Sequence, residues 1–186
     1  MAEARQQELL QAMATIERLL GPEAPETGPL VIRPHRVGDI GWIVRRQAML
    51  YHEEYGWDAS FEGLVARIAG DFLSDHDPAV EHCWVAERAG EILGSVFLLR
   101  TEEGDAQLRM LYVEPSARGL GVGSRLVGEC MRFARAVGYR RMILWTNSNL
   151  HAARGIYEKA GFTLAREEPH HSFGVDLVGQ YWETEL

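Results

Sequence analysis

The chain is expected to fold as a mixed α/β layer architecture, and three observations carry that expectation. Apolar residues recur at intervals of three and four over several stretches. Short runs of branched and aromatic residues lie between those stretches, and glycine or proline closes most of them. From residue 30 onward the elements follow the order β-α-α-β-β-β-α-β-α-β-β, which suits helices layered on a sheet. With 186 residues there is room for one domain of ordinary size and a sizeable core.

Ahead of that domain, residues 1–20 form an amphipathic helix. Leu9, Met13, Ile16 and Leu20 make its stripe, and Leu10 and Leu19 widen it. Gly21 and Pro22 end it, and residues 21–29 read as a stiff polar linker. The domain proper spans 30–186. Leu30 to Arg33 is a strand, and Asp39 is placed to cap a helix through Ile43, Ala48 and Leu50 that Gly56 breaks. A second helix covers 60–73, with Phe61, Leu64, Ile68 and Phe72 on one face. Cys83–Arg88 and Ile92–Leu99 are strands around Ala89-Gly90-Glu91, a hairpin by length and residue type.

The segment Glu102 to Asp105 turns into a strand from Gln107 to Val113. Pro115 closes it, since proline has no N–H to give a ladder. The helix over 121–137 buries Leu126, Cys130, Ala134 and Val137 and stops at Gly138. Met142 to Trp145 is the next strand. Ala153, Ile156, Tyr157 and Ala160 mark a last helix, ended by Gly161, and Phe162–Ala165 and Tyr181–Leu186 complete the sheet. His170 and His171 fall in the connection before the last strand, from which they could reach a pocket.

Composition narrows the function. A formal net charge of −8 argues against nucleic acid as a ligand, because such proteins carry a basic stripe that neutralises phosphates. Arg132, Arg135, Arg140 and Arg141 read as the solvated face of a helix and the strand after it. No apolar run approaches the roughly 20 residues of a membrane-spanning helix. The first residues lack the basic start and apolar stretch of a secretory signal, so a cytoplasmic location is expected. Cys83 and Cys130 read as buried free thiols, and neither they nor His76 and His82 have metal-ligand spacing.

The chemistry concentrates between residues 108 and 126. A strand runs into a loop with Gly119, Gly121 and Gly123, and a helix begins at once. The first N–H groups of a helix lack intrahelical partners and carry the positive end of its dipole, and glycines let a ligand approach the backbone. Together they bind a phosphate or pyrophosphate. A P-loop would need lysine after the last glycine, where Ser124 and Arg125 stand. The Gly-x-Gly-x-Gly spacing, two-thirds of the way along the chain, also fails the dinucleotide pattern.

At these residues the chain resembles the GNAT acetyltransferase family. Arg118-Gly-Leu-Gly121-Val-Gly123 matches its Gln/Arg-x-x-Gly-x-Gly/Ala signature behind the strand ending Leu-Tyr-Val-Glu-Pro, and Tyr157-Glu-Lys-Ala-Gly161-Phe162 matches a later element. The resemblance runs from about Leu30 to the C-terminus. It implies the GNAT fold, a mixed central sheet with helices on both faces, and acetyl-CoA as cosubstrate. It implies that Leu111-Tyr112-Val113 carries the pantetheine arm, with backbone groups of Leu111 and Val113 pairing like an added strand. The amides of Arg118, Gly119, Leu120, Gly121, Val122, Gly123 and Ser124 would hold the pyrophosphate. Tyr157 would protonate the leaving thiolate, or else serves as a core residue on its helix stripe. Many members carry asparagine seven residues before this tyrosine, where this chain has Leu150. Asn149 either replaces that asparagine or caps the helix.

Acetyl transfer needs a neutral amine, and a lysine-like amine is under about a thousandth neutral at pH 7. The stretch Tyr51 to Asp58 places Glu53, Glu54 and Trp57 together. They either form an acceptor pocket for a cationic or aromatic amine, small-molecule or protein, or belong to a solvated helix end with the tryptophan packed beneath it.

The leading reading is direct acetyl transfer to an amine, with the backbone at Val113 polarising the carbonyl. The alternative is an acetyl-CoA-binding regulatory module with little catalysis, since Glu8 to Gly21 resembles the closing helix of a MarR-type regulator fused ahead of a GNAT domain. A free apolar stripe on the N-terminal helix would seek a partner, and a symmetric homodimer is the commonest solution. The full chain is therefore expected to self-associate, and a chain starting at Gly28 to do so less. Sedimentation of both decides it: two monomers would mean that the helix needs no second chain.

Overall fold

The computed structural model describes residues 9, 10, 12, 13, 15, 16 and 28–186. Seven strands form one sheet: β1 (Val31–Pro34), β2 (His82–Arg88), β3 (Glu91–Arg100), β4 (Ala106–Val113), β5 (Arg141–Asn147), β6 (Thr163–Ser172) and β7 (Val175–Glu185). Their spatial order is β1-β2-β3-β4-β5-β7-β6, and every neighbouring pair is antiparallel except β4 with β5. Four helices pack on it: α1 (Asp39–Tyr55), α2 (Ala59–Asp75), α3 (Val122–Ala136) and α4 (His151–Lys159). The order of elements is the one read from the sequence.

The sheet separates two apolar cores. On one face α1 and α2 set Ile43, Phe61, Val65 and Phe72 against Val85, Phe97 and Met110. On the other, Leu126, Cys130 and Ala134 of α3 and Tyr157 of α4 cover Ala86, Leu98, Leu108 and Leu144. Strand β4 alternates buried and partly buried residues along its length, as a strand that feeds both faces must. Both cysteines are buried free thiols.

Local chemistry explains the boundaries. Gly56, at φ 71, closes α1 in the left-handed region, and Asp58 opens α2 by accepting from the Ser60 N–H at 2.9 Å. The β2–β3 and β6–β7 hairpins share one solution. Arg88 pairs with Glu91 and Ser172 with Val175, so each loop has two residues, and all four loop residues have positive φ.

Three expectations need correction. Gly38, not Asp39, is the α1 N-cap, and Asp39 is a buried first-turn residue that accepts from Arg33 at 2.6 Å and from the Arg36 N–H at 2.6 Å. The Arg33 pair outweighs helix capping because it ties β1 to α1 in a buried place, where an unmatched charge is costly. His170 and His171 lie in β6, not in a connection, because the turn residues are Phe173 and Gly174. Leu150 is the N-cap of α4 and makes no side-chain bond, so Asn149 does not cap that helix.

Of the N-terminal helix, Leu9, Leu10, Met13 and Ile16 are described, helical and exposed, whereas Leu19, Leu20 and linker residues 21–27 lie outside the described residues. Among the described residues no helix is long and apolar enough to cross a membrane.

Gly94 lets β3 lie close to the β4 backbone and lets α3 settle on both. A Cβ there would sit 2.5 Å from the Tyr112 carbonyl oxygen and 3.2 Å from Leu126 Cδ1. Gly94→Ala is therefore expected to lower stability by about 1–3 kcal/mol through overpacking. Urea denaturation checks it, and an unchanged midpoint would mean that β3 can shift freely from both β4 and α3.

Candidate active site

Parallel pairing of β4 with β5 covers only Ala106–Leu108 against Met142–Leu144. Beyond it the two strands part. Strand β4 is bulged where Met110 takes φ 50, and the β3 register shifts between Ser95 and Phe97. The Glu114 N–H donates to the Leu93 carbonyl at 2.8 Å, so Tyr112, two residues back, also directs its backbone toward β3. Leu111 and Val113, in alternation, direct theirs to the open side. That edge offers unpaired backbone groups to an extended ligand.

The loop after β4 leads to a second set of free donors. Gly119 and Gly121 have φ of 79 and 75, and a Cβ at either would meet nothing within 4 Å, so both face open space. The first α3 bond runs from the Arg125 N–H to the Gly121 carbonyl at 3.0 Å, which leaves the amides of Val122, Gly123 and Ser124 ahead of it. Gly123 is needed for a different reason: a Cβ there would lie 2.6 Å from Ile156 Cδ1. A helix start of this kind suits a phosphate or pyrophosphate.

These features line a cleft of about 370 Å³ that includes Leu111, Val113, Arg118, Gly119, Gly121, Val122, Gly123 and Ser124. Tyr112 contributes at its edge, its ring buried against Trp42 at 6.2 Å. Leu120 is half-exposed outside the cleft, and Asn149 faces neither this cleft nor the next, its buried Oδ1 without a partner among the described residues. A smaller cavity of about 90 Å³ adjoins it, and Tyr51, Leu111, Leu150 and Ala153 line both.

Tyr157 lines the smaller cavity and is 4% exposed. Burial, then the neighbouring Tyr51 and Cys130, push its phenol well above the ordinary range. Trp57 lines the same cavity and is buried among Tyr51, Phe61 and Phe173, with ring centroids 4.7–4.9 Å away. The two glutamates separate. Glu54 lines the larger cleft and pairs with Arg118 at 2.8 Å, whereas Glu53 is exposed and faces neither cavity. His170 reaches the smaller cavity indirectly, its Nε2 2.9 Å from Oδ1 of the lining residue Asn147.

Three participants have no role assigned from the sequence, although Tyr51 opens the stretch expected to shape the acceptor pocket. Tyr51 stands at the junction of the cavities, its phenol pushed up to about 12 by burial and by Tyr55. Arg109 lines the smaller cavity from β4. Arg46 braces the cleft wall, pairing with Glu114 through Nε at 2.7 Å and Nη2 at 2.8 Å. No motif marks any of them, since each matters only through contacts made across the sheet.

Known proteins resemble this chain in sequence and in fold. The family model described as Acetyltransferase (GNAT) family matches residues 44–162. A Schizosaccharomyces pombe protein described as an uncharacterized N-acetyltransferase is 29% identical over 74% of this chain and 82% of its own length. An Escherichia coli protein described as the uncharacterized N-acetyltransferase YjgM is 35% identical over 77% of this chain and 84% of its own length. The solved structure of YncA from Salmonella typhimurium, with its cofactor acetyl-CoA, superposes with a TM-score of 0.66 at 18% identity. It covers 84% of this chain and 93% of that one.

Gly121→Ala tests the cradle. A left-handed alanine costs about 1 kcal/mol, which lowers Tm by about 2–4 °C in a domain of this size. The added methyl points into the space beside the free amides, so the rise in Tm produced by acetyl-CoA should shrink markedly. Scanning fluorimetry with and without acetyl-CoA reads both effects, and an undiminished ligand shift would remove Gly121 from the binding surface.

Proposed function

The chain belongs to the GNAT family of acetyl-CoA-dependent N-acetyltransferases, and from that premise we propose direct acetyl transfer to an amine at the junction of the two cavities. The observation that carries this reading is the open edge of β4: Leu111 has free backbone groups and belongs to both cavities. On this reading Leu111 and Val113 hold the pantetheine arm, and the amides of Val122, Gly123 and Ser124 hold the pyrophosphate.

Bound acetyl-CoA supplies an acetyl group already activated as a thioester. In the transfer a C–N bond forms, the C–S bond breaks, and a proton from the amine ends in solvent. Because Leu111 rather than Val113 lines both cavities, we assign the carbonyl-polarising N–H to Leu111. Arg118 stands at the mouth of the cleft, with Glu54 orienting it.

Tyr157 takes a role narrower than full proton donation. A thiol reference pKa is about 8.5, far below a phenol raised above about 10, so complete transfer from phenol to thiolate is uphill. Its O–H instead donates a hydrogen bond to the sulfur as negative charge develops there.

The test is release of CoA thiol from acetyl-CoA with a panel of amines. Tyr157→Phe should lower kcat by about 10²-fold with little change in the melting shift given by acetyl-CoA. The raised phenol stays protonated, so its donation adds no alkaline limb below pH 10, and the pH profiles of the two enzymes should run parallel there. An unchanged kcat would return Tyr157 to the core, and absence of thiol release with every amine would defeat the enzymatic reading.

A further inference from the structure

The smaller cavity holds a positive charge that no carboxylate of the described residues matches at ion-pair range. The arginines that brace the fold and the cleft each have a carboxylate at short range: Arg33 has Asp39 and Glu87, Arg46 has Glu114, and Arg118 has Glu54. Arg109 is different. It projects from β4 just before the Met110 bulge and is partly buried in the cavity wall. Burial lowers its pKa, and the charge that acts back on it is the exposed Asp71 of α2, which stands beyond ion-pair reach. Removing a guanidinium from water without a matching anion is costly, so a fold that keeps one in a ligand cavity is arranged for an anion from outside.

The surroundings define the rest of that ligand. Trp57, Phe61, Leu64, Val65 and Ile68 make an apolar wall, and the volume of about 90 Å³ suits a small body. Gln47 Oε1 is buried in the same wall without a hydrogen-bond partner among the described residues, an acceptor suited to an N–H. Leu111, where the acyl group is placed above, follows Arg109 by two residues on the same strand, with the Met110 bulge between them, and both line this cavity. An amine at the junction and an anion at Arg109 must therefore sit on one short frame.

We infer that the acceptor is a free amino acid with an apolar side chain, whose carboxylate pairs with Arg109 while its amine faces the Leu111 junction. This rests on the acetyl-transfer reading and narrows it. It also replaces the cationic acceptor expected from Glu53 and Glu54, since Glu54 is taken by Arg118 and Glu53 lies outside the cavities.

The experiment compares each acid with its amide: leucine, methionine and phenylalanine against leucinamide, methioninamide and phenylalaninamide. The full chain is used with saturating acetyl-CoA. Thiol release gives kcat/KM, and quenching of Trp57 and Trp145, which line the cavity, gives acceptor binding independently of turnover. At least one acid should exceed its amide by about tenfold or more, the scale of a charge-assisted hydrogen bond. Arg109→Gln should bring that ratio toward one, mainly through KM, and Arg109→Lys should retain part of it. The acetyl-CoA melting shift and circular dichroism confirm that each variant is folded and loaded.

Amides that serve as well as acids in the unaltered protein would overturn the inference without any variant. So would an acid preference that survives Arg109→Gln, or turnover confined to peptide N-termini. In those cases acetyl-CoA still binds and amines are still acetylated, so the transfer reading stands. Absence of both the melting shift and thiol release would instead remove the transfer reading itself.

Discussion

Pairing between β4 and β5 stops at Leu108 and Leu144, and the unpaired edge that follows is the constraint around which the site is arranged. Exposed strand edges attract another strand, and buried unpaired backbone is costly, so such an opening persists only where both sides are held. Strand β5 is held along its whole length by β7, from Arg141 opposite Glu185 to Asn147 opposite Gly179. Strand β4 is held by β3 through Tyr112 and Val113, past the bulge at Met110. Neither can swing across to close the gap. Gly94 then lets α3 settle against the sheet so that its first amides point along the same opening.

Charges at the opening work as braces as much as binding groups. Arg46 of α1 grips Glu114 immediately after β4. Burial pushes that carboxyl up, but the bidentate guanidinium, with Tyr112 and Arg118 nearby, offsets it and holds the group below its usual range. Arg118 and Glu54 repeat the arrangement nearer to solvent, where a pair contributes less. Both pairs connect α1 to the loop that follows β4, so the cleft has a fixed far wall. Across it, Phe173 at the tip of the β6–β7 hairpin packs on Trp57 at 4.7 Å, and its carbonyl accepts from the Asp58 N–H at 3.0 Å. The smaller cavity is thus closed by elements distant in sequence.

Local pattern was enough for much of this protein. The periodicity of Phe61, Leu64, Ile68 and Phe72 marks a helix whatever surrounds it, and Ala89-Gly90-Glu91 marks a hairpin by length and residue type, which the structure shortens to a two-residue loop by pairing Arg88 with Glu91. The positive φ of Gly119 and Gly121 and the free amides after them belong to the segment itself, so a helix start suited to phosphate can be expected from that stretch alone, whereas Gly123 is required by its contact with Ile156 of α4. What only the tertiary structure decided is which side chains meet. Glu53 and Glu54 are neighbours in sequence, yet one pairs with Arg118 and the other faces solvent, because successive helical residues point about 100° apart. Asp39 looked like a cap until β1 brought Arg33 to it. Arg109 lies within an alternating strand and looks like any outward residue, and its role depends on a bulge, a parted neighbour and a helix contributed from far along the chain. Motifs are legible when their chemistry is carried by the backbone of one segment. A pocket made by several segments takes its meaning from packing, which no single stretch of sequence contains.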